Sequence, residues 1–179
     1  MTMRIVGALL LALTLAGPAA AQHKPYEGLE TRSIKALSAE QIADLKGGKG
    51  MSLALAAELN GYPGPMHVVE LARDLRLTEE QRTRAADLTA AMRKEAIVLG
   101  ERLIAAEADL DASFATKAVD ERSLTDRVAR IGEIQAALRT AHLKYHLATK
   151  ALLTPEQVTA YAQLRGYAGG GSHHHRSRH

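Results

Sequence analysis

The sequence predicts an all-α protein built on a long antiparallel helical hairpin with short flanking helices. Apolar residues recur at intervals of three and four along two long stretches, the period of one face of an α-helix. Hydrophobic residues make up 46% of the chain, yet aromatics are only 3% and Trp is absent. Much of the apolar share is alanine, which suits close helix–helix contact, and runs of strand-forming residues are few. The third observation is a near-repeat: "LSAEQ" at Leu37–Gln41, "LTEEQ" at Leu77–Gln81 and "LTPEQ" at Leu153–Gln157.

Residues 1–21 read as a cleavable export signal. Arg4 precedes an apolar run from Ile5 to Leu15, and the small residues Ala19, Ala20 and Ala21 follow. That run is about half of the ~20 residues needed to span a bilayer, so no stable membrane insertion is expected. The mature chain then begins near Gln22, in a bacterial periplasm. It has no cysteine for disulfides or for lipid attachment.

Residues 22–64 form an N-terminal lead-in with short helices. Gln22 to Arg32 is polar and reads as extended. A short helix follows Ser38 and stops at "KGGKG", and "MSLALAAELNG" gives another, closed by Asn60 and Gly61. "YPGP" makes a turn, and Pro65 suits the first turn of a helix carrying Met66, His67, Val68, Leu71 and Leu75.

The body of the domain, residues 65–167, contains the hairpin. Ala85, Leu88, Met92, Ala96, Leu99, Leu103, Ala106, Leu110 and Phe114 mark one stripe, on a helix about 55 Å long at the usual rise. Thr116 to Ser123 reads as the connection. Leu124, Val128, Ile131, Gln135, Leu138, His142, Tyr145, Thr149 and Leu152 mark the second stripe, and the short connection folds the two helices back on each other. A last short helix ends near Arg165, and residues 168–179 read as a disordered His-rich tail. Two helices cannot bury stripes of this size as a thin pair. A homodimer is expected, although a monomeric four- or five-helix bundle satisfies the same pattern.

Each repeated box carries the chemistry of a helix start. Ser38, Thr78 and Thr154 offer a hydroxyl to an unpaired backbone N–H. Gln41, Gln81 and Gln157, three residues on, reach back to the N–H of the capping residue. Acidic side chains in the first turns suit the helix dipole, and Pro155 suits the first helical position. Leu37 pairs with Ile42 and Leu153 with Val158, whereas Arg82 takes that place in the middle box. These are structural caps, not catalytic groups.

Boxes of this kind bracketing a helical hairpin, behind an export signal and without cysteine, resemble the Spy/CpxP-type periplasmic proteins. Related heavy-metal resistance and sensor proteins are similar. The resemblance spans roughly Met66 to Tyr167. It implies an all-α hairpin, often a thin curved antiparallel dimer, working in the envelope without ATP and without shared catalytic residues. Some members hold unfolded clients; others bind or sense divalent metals. The sensor branch implies a His-x3-His pair before the first long helix, where this chain has Met66 and His67. It also implies a His-x3-Met pair ahead of the last box, where this chain has His146 followed by Thr149 and Lys150.

Two function classes follow. The first is an ATP-independent stress protein that binds unfolded envelope proteins: long basic side chains such as Arg93, Lys94 and Arg102 alternate with Ile97, Val98, Ile104 and Leu143. The second is a metal-binding or sensing protein that signals to a membrane-bound partner. "HLKYH" puts His142 and His146 on one helical face, with Met92 and Glu95 level on the opposing helix and His67 near the same end. Such a set suits zinc, nickel, cobalt or copper, although no cofactor is required for the fold. His173, His174 and His175 in the tail are a separate, loose metal-capture element. An enzyme is not expected, since no nucleophile–base pair, phosphate loop or HExxH run is present. The net charge of +3, with both signs interleaved, gives no nucleic-acid-binding run.

Overall fold

The computed structural model describes residues 24–167. The expected signal peptide and the His-rich tail lie outside the described residues. Within them the chain is helical: α1 (Ala39–Gly47), α2 (Leu55–Glu58), α3 (Pro65–Glu70), α4 (Glu79–Ala115), α5 (Glu121–Leu152) and α6 (Pro155–Leu164). The long α4 and α5 pack against each other as the hairpin. No helix among the described residues is long and apolar enough to cross a membrane.

The helix starts follow from the repeated boxes. Ser38, Thr78 and Thr154 each accept a hydrogen bond from the backbone N–H three residues on, and Gln41, Gln81 and Gln157 each accept from the capping residue's N–H. A fourth box begins α5, with Asp120 as the cap and Ser123 returning the bond at 3.0 Å. The linker therefore ends at Asp120 rather than Ser123. Asp and Ser do the same job there with different letters, which hid the box in the sequence. At the other end of the linker, Lys117 adopts φ 55° while Ala118 N–H donates to the Ser113 carbonyl at 3.0 Å, closing α4.

Two buried clusters hold the hairpin and its flanking pieces. One unites Ile34, Leu37 and Leu45 with Ala96, Leu103 and Ala106 of α4 and Ile131 and Leu138 of α5. α1 crosses α4 at Gly100, where an added Cβ would stand 2.5 Å from the Leu45 carbonyl oxygen. Only a residue without a side chain admits that approach. The second cluster joins Val68, Leu75, Leu77, Ala85, Leu153 and Tyr161 at the open end of the hairpin.

Several expectations shift. The lead-in is not extended: Leu29–Thr31 is a 3-10 turn, because Gly28 takes φ 85° and starts a tight bend. The 51–61 segment yields one helical turn, with Asn60 Nδ2 donating to the Ala56 carbonyl at 2.8 Å and Gly61 at φ 77°. α3 ends at Glu70, and Leu71 and Leu75 follow in a turned segment that still reaches the core. Phe114 and Val128, near the closed end, are exposed, as is Gln135, because among the described residues no third element covers them.

Candidate functional site

Between the two clusters, α5 presents His142 and His146 one turn apart, and both are buried, at 2% and 7% exposure. The segment from Gly50 to His67 lies over them. Met92, from the facing stretch of α4, joins the same cavity of about 330 Å³, as do Met51, Met66, His67 and Glu58. The sequence expectation that Met92, His67 and the histidine pair share one end of the molecule agrees with this placement. Glu95 is turned elsewhere: it accepts from Lys144 Nζ at 2.7 Å and from the Tyr145 hydroxyl at 3.1 Å. Both bonds hold its carboxyl below the ordinary range, Lys144 contributing most. His173, His174 and His175 lie outside the described residues.

The two imidazoles are held differently. His146 Nδ1 is 2.7 Å from the Tyr62 carbonyl, an acceptor only, so Nδ1 carries the hydrogen. In the neutral ring the free lone pair is then at Nε2. Gly64 packs beside that atom; a Cβ there would sit 3.2 Å from Nε2. His142 is the reverse case. Its Nε2 is buried without a hydrogen-bond partner. Burial, and secondarily the neighbouring His146, depress its pKa, so the neutral ring is favoured. A buried polar atom left unpaired costs free energy, which gives this nitrogen a standing demand for a partner.

Beside the pair sits Glu58, buried at 8% exposure. One oxygen accepts from the Tyr161 hydroxyl in a short bond and from the Tyr167 hydroxyl at 3.1 Å, and the Arg165 guanidinium stands 3.7 Å away. The other accepts from Gly64 N–H at 3.1 Å and lies 3.6 Å from His146 Nδ1. Burial, together with the bond to Glu58, pushes the Tyr161 hydroxyl far above its ordinary pKa, so it acts as a donor at any physiological pH. The carboxylate thus braces the cavity wall beside His146, whose ring is oriented by the Tyr62 carbonyl. Met51 and Glu58 escaped the sequence reading. The available signal for Glu58 was one acid closing an otherwise apolar stretch, "LALAAE".

Among the described residues, no group of three His, Asp or Glu side chains is placed to hold one ion. His67 lines the cavity but bonds Glu70 through Nδ1 at 2.9 Å. His142 and His146 are the two buried imidazoles that line the cavity, together with Met51, Met66 and Met92.

The family model described as "LTXXQ motif family protein" matches residues 64–165, more than half of the chain. No curated protein and no solved structure matches.

Proposed function

The chain belongs to the LTXXQ motif family, and from that premise we propose that it is an exported, periplasmic binding protein of the Spy/CpxP type that takes up a transition-metal ion at His142 and His146. The observation that carries this reading is the unpaired, buried Nε2 of His142, one turn from an imidazole whose other nitrogen is already committed to Tyr62. Imidazole is the commonest metal-binding side chain, and a metal supplies the missing partner without a proton.

The role is binding rather than catalysis. An ion held there would lie beneath the Gly50–His67 segment that lines the cavity, so occupancy would bear on the packing and outer surface of that segment. A membrane-bound signalling partner could read the difference, provided that it prefers one state. The test is calorimetry with Zn²⁺, Ni²⁺, Co²⁺ and copper on the full chain carrying serine at His173, His174, His175 and His179. One ion per chain should bind, and His142→Ala with His146→Ala should abolish it. Undiminished binding in that double variant would refute the assignment.

A second reading has its own support. Lys94, Glu95, Val98, Leu99, Arg102 and Tyr145 line an open groove along α4 and α5 in which apolar groups alternate with basic ones and with the paired Glu95. Such a surface suits weak, re-forming contacts with unfolded envelope proteins. Ile97, Ile104 and Leu143 are half-buried, leaving Val98 as the exposed apolar member of that set. Suppression of client aggregation that Val98→Ser weakens would support this reading; full activity of that variant would oppose it. We also propose a homodimer, supported by the exposed Phe114, Val128 and Leu147. Light scattering that gives the mass of one chain would refute it.

A further inference from the structure

Resting on the assignment of a metal to His142 and His146, we infer that the cavity selects a soft ion, cuprous copper, and that methionine thioethers complete its donor set.

The chain contains five methionines; Met1 and Met3 lie outside the described residues, and Met51, Met66 and Met92 all line this one cavity. They arrive from three places: the loop before α2, the first turn of α3 and the middle of α4. Methionine commonly fills gaps in a core. That account does not serve here, because Met51 and Met66 are exposed, at 36% and 46%. Their convergence on a buried histidine pair is better explained by what their sulfur atoms do.

The competing donors are committed elsewhere. Glu58 accepts from Tyr161, Tyr167 and Gly64. His67 is tied to Glu70 through Nδ1 and forms no group of three with the buried pair among the described residues, and Glu95 pairs with Lys144. A hard or borderline divalent ion wants three or more nitrogen and oxygen ligands, and two imidazoles fall short of that. Thioether sulfur favours Cu(I), and neutral imidazole tolerates it.

The backbone gives an independent sign. Met51 and Ser52 are consecutive non-glycine residues at φ 44° and 64°, and the turn is closed by Leu53 N–H donating to the Gly50 carbonyl at 2.7 Å. Left-handed backbone is unfavourable for side-chain-bearing residues and collects at ligand clamps. Here it sits at the residue that brings one sulfur to the cavity.

The test uses the full chain with serine at the tail histidines, titrated anaerobically with Cu(I) against a chromophoric chelator and separately with Zn²⁺ and Ni²⁺. Cu(I) should bind most tightly. Volume-conserving Met51→Leu, Met66→Leu and Met92→Leu, alone and together, should weaken Cu(I) in steps, reaching about tenfold or more for the triple variant. Zn²⁺ affinity and helical circular dichroism should stay unchanged. Copper-edge X-ray absorption of the unsubstituted chain should show sulfur as well as nitrogen neighbours. Zn²⁺ or Ni²⁺ binding through the histidine pair, with Cu(I) no tighter and no sulfur seen, would overturn the copper inference and leave the metal site standing. Loss of all histidine-dependent binding would overturn both.

Discussion

The side-chain amides of Gln81 and Gln157, 76 residues apart, bond to each other in both directions, at 2.8 and 3.0 Å. Each oxygen also caps its own helix, accepting from Thr78 N–H at 3.0 Å and Thr154 N–H at 2.9 Å. Each nitrogen also donates across the junction, Gln81 to the Leu152 carbonyl at 3.0 Å and Gln157 to the Leu75 carbonyl at 3.2 Å. Leu77 and Leu153, which open the two boxes, are buried in the same cluster. Two local helix caps are thereby fused into one clasp at the open end of the hairpin.

Glutamate could cap in place of glutamine but could not donate. Gln81→Glu should therefore cost about 1–3 kcal/mol by leaving the Leu152 carbonyl without this donor and setting a carboxylate oxygen against the Gln157 oxygen, which keeps only its bond from Thr154 N–H. Gln41→Glu, whose amide only caps α1, should stay within about 0.5 kcal/mol. Urea denaturation of both variants checks this. Equal effects would show that the clasp contributes nothing.

Gly100→Ala should destabilise the fold by about 1–3 kcal/mol, against the helix propensity that favours alanine, because its Cβ meets the Leu45 backbone oxygen at 2.5 Å. Gly132→Ala, with nothing within 4 Å, should instead stabilise by up to about 1 kcal/mol. Thermal melts of the pair should move in opposite directions.

Gly64→Ala tests the metal geometry with little backbone strain, since Gly64 has φ −79°. The new methyl would lie 3.0 Å from Cε1 and 3.2 Å from Nε2 of His146. Metal affinity should drop about tenfold or more, with circular dichroism unchanged. Calorimetry that finds the affinity intact would place the ion away from that nitrogen.

Acid should loosen the fold through His142. Its folded pKa lies below the ordinary value of 6.5 because the ring is buried. Between those two values the unfolded chain binds the extra proton. Stability is thus fully present above about pH 6.5 and declines as the pH falls from there through the lower folded value. The melting temperature should fall over that window, and His142→Leu should flatten the decline. Release of a bound metal from the folded chain should begin only lower, near the depressed folded value, where the His142 ring itself gains a proton and loses its lone pair.

What could be read from the sequence was what is local. The boxes at Ser38, Thr78 and Thr154, the two long helices and the hairpin all follow from spacings of three or four residues. The shared face of His142 and His146 is likewise a one-turn relationship, and Met92 followed from the hairpin register. The Gln81–Gln157 bond, the meeting of Gly100 with Leu45 and the Glu58 contacts link residues far apart in the chain, and no local period encodes them. Glu95 shows the limit of register alone. It sits level with the pair, yet Lys144 and Tyr145 turn it to another face. α3 is shorter than its spacing suggests, because Leu71 and Leu75 keep helical spacing in a segment whose backbone reverses at Arg76, φ 50°.

Glu58 has a further consequence for how the molecule comes apart. Peeling α6 away would strip this enclosed anion of both phenols; lifting the arm that carries it would take away the acceptor of both phenols, the buried Tyr161 hydroxyl above all. Neither extremity can depart without penalising the other. The two edges of the domain, one ahead of the hairpin and one behind it, therefore fray in concert as a single cooperative unit.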